Sequence, residues 1–133
     1  MLKPNYKIFN NKNIFVTGGT GSFGSNFIKK LLKESKPKKL ICFSRDELKQ
    51  SKLQQDINKI YKQNCLRFFI GDVRDKERLN LALLNNDVDY VVHAAALKQV
   101  PTIEYNPFEA VKTNILGAQN IIETSIQNKI KKV

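Results

Sequence analysis

The residues whose types and spacing could do chemistry begin at Gly18-Gly19-Thr20-Gly21-Ser22-Phe23-Gly24. Gly19, Gly21 and Gly24 satisfy G-x-G-x-x-G, and Gly18, Gly21 and Gly24 satisfy the looser G-x-x-G-x-x-G. In such a motif one glycine turns the chain sharply, one admits backbone to a pyrophosphate, and one lets a helix close on a sheet. Glycine-rich turns are common, so the spacing alone is a weak signal. Its flanks strengthen it. An apolar run precedes it and an apolar-striped helix follows, which sets the turn at a helix's positive end. The chemistry this predicts is binding of a dinucleotide, against the plainer reading of a tight turn.

Three other corners carry polar groups where strands should end. About 20 residues past the glycines, a carboxylate would bond the ribose hydroxyls of NAD. Ser44-Arg45 stands there instead, with Asp46 next and Lys49 a turn later. Arginine matches a 2′-phosphate by charge and by its planar fork of donors, which predicts NADP rather than NAD. The plainer reading makes Arg45 an exposed turn residue and Asp46 a helix cap. At Gly71-Asp72-Val73-Arg74-Asp75, Asp72 could accept from an adenine amine and Val73 could pack on the ring, with Asp75 as a helix cap. At His93-Ala94-Ala95-Ala96, small side chains let backbone pass close to a ligand. His93 reads as a satisfied, buried histidine. Lys98 follows on a loop where ligands bind, and reads as functional rather than a surface lysine. Asn114 faces either the site or solvent.

The elements that must position these groups alternate along the chain. Residues 13–17 read as a strand and 22–34 as a helix with Phe23, Phe27, Ile28, Leu31 and Leu32 on one face. Strand 39–43 is followed by helix 46–63, with Leu53, Ile57, Ile60 and Tyr61 at helical spacing. Strand 66–70, helix 75–84 and strand 90–94 come next. A loop runs through Pro101 to Asn106, which should cap a long helix, with Pro107 at its first position and Glu109 bonding back to the cap. Phe108, Val111, Ile115, Ala118, Ile122 and Ile126 should mark that helix's buried face. Residues 130–133 read as the start of a fifth strand. The alternation predicts an α/β fold, a Rossmann-type doubly wound parallel sheet of order 3-2-1-4, cut short, with ligand at the carboxyl ends of the strands.

Composition bounds the rest. A chain of 133 residues is one domain, read as an NAD(P)-binding domain over 1–133. The formal net charge of +11 raises nucleic acid as a partner. The lysines are scattered and no aromatics interleave with them as stacking platforms, so the excess reads as solvated faces, part of it available to an anionic ligand. No segment has the apolar length to span a bilayer, and the first dozen residues lack the apolar middle of a secretion signal. This reads as a cytoplasmic protein with no membrane or nucleic-acid partner. Cys42 and Cys65 have no metal-ligand spacing and read as packing residues.

Taken together these residues resemble the extended short-chain dehydrogenase/reductase superfamily. Three stretches narrow the likeness: Phe43-Ser44-Arg45-Asp46-Glu47-Leu48-Lys49-Gln50, Phe69-Ile70-Gly71-Asp72-Val73-Arg74-Asp75, and His93-Ala94-Ala95-Ala96-Leu97-Lys98-Gln99-Val100-Pro101 running on to Glu104-Tyr105-Asn106-Pro107 and Thr113-Asn114. They resemble the inverting UDP-N-acetylglucosamine 4,6-dehydratases of surface-glycan and pseudaminic acid synthesis, from about Asn13 onward. The resemblance implies an NADP-dependent lyase. Hydride leaves the sugar's 4-position, the ketone acidifies the C5 proton, water leaves across C5 and C6, and hydride returns to C6 with inversion at C5. By motif position, Gly18, Thr20, Gly21, Ser22, Phe23, Gly24, Ser44, Arg45, Lys49, Asp72, Val73 and Ala94 would hold NADP. Lys98 would lie where cofactor and UDP-N-acetylglucosamine meet. A homo-oligomer is implied for the full-length enzyme.

One departure bears on chemistry. The superfamily's tyrosine with a lysine four residues on, and this family's aspartate-lysine pair, come after the fifth strand. None of Tyr6, Tyr61, Tyr90 and Tyr105 has that lysine. Catalytic residues are therefore expected beyond Val133, and the chain reads as the amino-terminal part of a longer enzyme. A non-catalytic NADP-binding regulatory module and a UDP-sugar epimerase stay open as alternatives, since fold does not fix function.

Overall fold

The computed structural model describes residues 4–62 and 64–133. Four short apolar runs form strands: β1 (Asn13–Thr17), β2 (Lys39–Ser44), β3 (Leu66–Ile70) and β4 (Tyr90–His93). They pair in parallel in the order β3-β2-β1-β4, as the alternation predicts. Side chains alternate along a strand, so a strand covered on both faces must be apolar on both. β1 meets this demand. Ile14 and Val16 enter one core with Ile28, Leu31, Leu40 and Cys42, while Phe15 enters the other with Ile41, Phe43, Leu79 and Ile121. Each such side chain, fully buried, contributes roughly 1.5–3 kcal/mol. Helices α1 (Ser22–Glu34) and α2 (Glu47–Ile60) supply the first core; α3 (Lys76–Leu83) and the helical run after Asn106 supply the second.

Several expectations need correction. Helix α2 ends at Ile60, which is 68% exposed and outside the core; the expected end at Gln63 lies outside the described residues. In α1, Phe23 is exposed and stacks on Phe27 rather than entering the core. The expected loop through Pro101 contains a short helix, α4 (Val100–Tyr105), because Pro101 occupies a first-turn position where its missing N–H costs nothing. Asn106 does not cap the next helix with its side chain. Its Nδ2 donates backwards to the Thr102 carbonyl at 2.9 Å. Glu109 does not bond back to that cap either; it accepts from Lys112 and from Arg74.

The run after Asn106 is not one regular helix. It comprises α5 (Pro107–Ala110), a π-helical segment (Val111–Leu116) and α6 (Gly117–Gln127). The expected buried stripe is largely on the outside: Phe108, Val111, Ile115, Ile122 and Ile126 are exposed, while Thr113, Gly117, Ile121, Thr124 and Ser125 are buried. At Gly117 close approach leaves no room, since a Cβ there would sit 2.7 Å from Val73 Cγ2, while Ile121 is the large apolar side chain that this face buries. The fifth strand begins as expected but only as one parallel bridge, Tyr90 to Lys132, with the Val91 N–H donating to the Lys132 carbonyl at 2.9 Å. No helix among the described residues is long and apolar enough to cross a membrane.

Candidate functional site

At the carboxyl ends of the strands lies a cleft of about 520 Å³. Every residue to which the resemblance gives a cofactor-binding place lines it: Gly18, Thr20, Gly21, Ser22, Phe23 and Gly24 from the turn, Ser44, Arg45 and Lys49 after β2, Asp72 and Val73 after β3, and Ala94 and Lys98 after β4; Gly19, His93 and Asn114 do not.

The glycines of the turn differ in what requires them. Gly18 has φ 62°, a left-handed conformation, and a Cβ there would lie 2.7 Å from the Ala95 nitrogen. Cβ atoms on Gly19 and Gly24 would strike the Cys42 thiol and the Gly18 carbonyl. The protein's own packing accounts for all three. Gly21 is different: a Cβ there would meet only the Gly18 carbonyl, at 3.2 Å, and otherwise open cleft. A side chain at Gly21 would press on the Gly18 carbonyl and project into the cleft. Gly21 is also the N-cap of α1 and gives no side-chain bond to it, so the first-turn N–H groups are left for an anion.

Thr17, the last residue of β1, ties this turn to the loop after β4. Its Oγ1 accepts from the N–H groups of Ala94 at 3.1 Å and Ala95 at 3.3 Å, and it lies 2.7 Å from His93 Nδ1. With both acceptor sites in use, the hydroxyl proton is donated to Nδ1, which fixes His93 as the neutral Nε2–H tautomer. Burial pushes its pKa down in the same direction. His93 is the satisfied histidine that the sequence suggests. Cys42, under the turn, is a packing residue; burial pushes its thiol up to about 12, against a hydrogen bond with Ser44.

Charge gathers at one end of the cleft. Arg45, 56% exposed, sets Nη1 3.6 Å from Asp72 Oδ2. Asp72 is held mainly by Arg74, whose Nε and Nη2 donate to Oδ2 at 2.9 and 2.7 Å and whose backbone N–H donates to Oδ1 at 2.9 Å. Burial alone would raise the Asp72 pKa; the hydrogen bonds of Arg74 and the charges of Arg74 and Arg45 outweigh it and hold the carboxyl below its usual range. Asp46 caps α2 by accepting from the Lys49 N–H, and Asp75 caps α3 by accepting from the Arg78 N–H. The Lys49 ammonium rests 3.7 Å from Asp46, at the rim.

These observations match a known family. Residues 14–133 fit the family described as "Polysaccharide biosynthesis protein". The chain belongs to that family. Among curated members similar to it, the inverting UDP-N-acetylglucosamine 4,6-dehydratase of Campylobacter jejuni strain 81-176 is 57% identical over 94% of this chain and 36% of its own length. A UDP-glucose 4-epimerase of Rickettsia typhi is 45% identical over 95% of this chain and 36% of its own. Among solved structures, Pen from Bacillus thuringiensis superposes with a TM-score of 0.85 at 44% identity, over 94% of this chain and 36% of that one. The chain thus spans about a third of the length of these relatives.

Three residues of this family member shape the cleft without having been marked as binding residues in the sequence. Gln50 is 5% exposed, and its Nε2 reaches Ser44 Oγ at 2.9 Å and the Phe69 carbonyl at 3.0 Å, locking the ends of β2 and β3 together. Its signal was a polar residue at helical spacing with Leu53 and Ile57. Asn114 is exposed, yet its side chain is engaged: it grips the Leu97 backbone, accepting from its N–H at 2.8 Å and donating to its carbonyl at 3.0 Å, next to Lys98. Thr113 Oγ1 is buried beside the cleft with no hydrogen-bond partner. Burying a hydroxyl unpaired costs roughly 1–3 kcal/mol. No sequence signal marks a hydroxyl as orphaned.

Proposed function

We propose that this chain is the NADP-binding portion of an inverting UDP-N-acetylglucosamine 4,6-dehydratase. Gly21 carries the reading, because a side chain there would crowd only the Gly18 carbonyl and otherwise occupy the cleft. The open first turn of α1 suits a pyrophosphate, and Arg45, where NAD-binding sites carry a carboxylate, suits a 2′-phosphate. Val73 would pack on the adenine, Asp72 would accept from its amine, Ala94 leaves room for backbone contact, and Lys98 would stand between cofactor and sugar nucleotide. When bound, the nicotinamide supplies reversible hydride transfer. The chain's own residues would bind and orient it. The dehydratase at 57% identity supports the substrate class. A cytoplasmic location belongs to this reading, and the exposed apolar stripe of α5 and α6 supports a homo-oligomer of the longer enzyme.

The relatives named UDP-glucose 4-epimerase favour a second reading within the same family. The test is to incubate the protein expressed from its natural gene with UDP-N-acetylglucosamine and NADP and weigh the product. Loss of one water supports the dehydratase; an unchanged mass with an inverted C4 hydroxyl supports the epimerase.

A further inference from the structure

We propose that Arg74 is a positioning residue for cofactor choice: by holding the Asp72 carboxylate, it keeps Arg45 available to a 2′-phosphate. The inference rests on the NADP reading above and adds to it a residue that need not touch the phosphate.

The geometry is a competition for one oxygen. Asp72 Oδ2 takes two bonds from Arg74, at 2.9 and 2.7 Å, and lies 3.6 Å from Arg45 Nη1. Arg74 is itself fixed on its far side, where Nη1 donates to Glu109 Oε2 at 2.5 Å, on α5. Its guanidinium is thus clamped between two carboxylates, one at the cleft and one on a helix. Arg45 has no such second anchor among the described residues. Two charge-assisted bonds at 2.9 and 2.7 Å to one oxygen outweigh a single contact at 3.6 Å, so Arg74 dominates Asp72 and Arg45 stands at the margin.

Asp72 has two unfavourable effects on an incoming phosphate. Its negative charge repels the dianion, and its oxygen competes for the Arg45 fork. Arg74 offsets both. Side chains that are 22% exposed for Asp72 and 35% for Arg74 are only partly screened by solvent, so the offset acts over the short distance to Arg45. Without Arg74, the nearest cation to Oδ2 is Arg45, and a phosphate would have to break that pair. NAD, which carries the same adenine and no 2′-phosphate, would not.

The test is calorimetric titration of the chain with NADP and with NAD, for the native protein, Arg74→Met, Asp72→Asn and the double variant. Arg74→Met, which acts through Arg45, should weaken NADP about 5- to 20-fold, less than the loss of a direct charge-assisted contact, and change NAD about twofold or less. Adding Asp72→Asn should restore the NADP-to-NAD ratio. Asp72→Asn alone should raise that ratio, which keeps the inference testable if Arg74→Met fails to fold. Equal losses for both cofactors in Arg74→Met, or a ratio unmoved by Asp72→Asn, would overturn it. A native chain without NADP preference would instead sink the underlying reading and this inference with it.

Discussion

At the residue scale, the cleft divides into groups that hold the protein and groups left for a ligand. Gly18, Gly19 and Gly24 are required by close packing, while a side chain at Gly21 would crowd only the Gly18 carbonyl and otherwise enter the cleft. Gly21→Val should therefore abolish dinucleotide binding while circular dichroism stays native; a folded variant that binds normally would show the turn is not the phosphate site. Arg45→Ala should weaken NADP by about 1.5–3 kcal/mol and leave NAD nearly unchanged, read by calorimetry. Asp72 gives a pH dependence. Its folded-state pKa is depressed, so its contribution to stability is present above the unfolded value near 4 and is lost as pH falls through the folded one. Denaturant titrations should show native protein and Asp72→Asn converging as pH drops below about 4, and a constant gap would contradict the pairing. These positions were legible because each stands at a strand end, where the motif and the alternation fix its place. The grip of Arg74 on Asp72 was not, since a bond between two surface side chains depends on rotamers that spacing does not specify.

At the element scale, legibility follows what makes each element. The strands and α1 were readable because burial on both faces demands unbroken apolar runs and burial on one face demands a stripe. The stretch 100–127 departs from the expectation because its buried face is Thr113, Gly117, Ile121, Thr124 and Ser125; Gly117 admits Val73, and Phe108, Val111, Ile115, Ile122 and Ile126 are left outside. The π-helical segment Val111–Leu116 has no sequence signature of its own, yet it carries both Thr113 and Asn114. π-Helical turns are often found at functional sites. Asn114→Ala should release the Leu97 backbone, cost about 1 kcal/mol, and speed hydrogen exchange at the Leu97 amide in the free protein. Unchanged exchange there would mean that the loop bearing Lys98 is held by something else.

At the scale of the whole molecule, a parallel sheet with helices on both faces leaves one opening, at the carboxyl ends of the strands, and the residues with an expected cofactor-binding place converge on it. The chain of 133 residues contains no Tyr-x-x-x-Lys. Without a group to take the sugar's 4-hydroxyl proton, hydride cannot leave. The chain alone should bind cofactor yet give no dehydrated product from UDP-N-acetylglucosamine. Binding should also raise the unfolding temperature in step with cofactor concentration, by mass action on the folded state. The most direct measurement of the central claim is calorimetric titration of the 133-residue chain with NADP and with NAD in the same buffer. The account expects saturable binding of NADP, tighter than NAD by about tenfold or more. Equal affinities, or no binding of either, would contradict it.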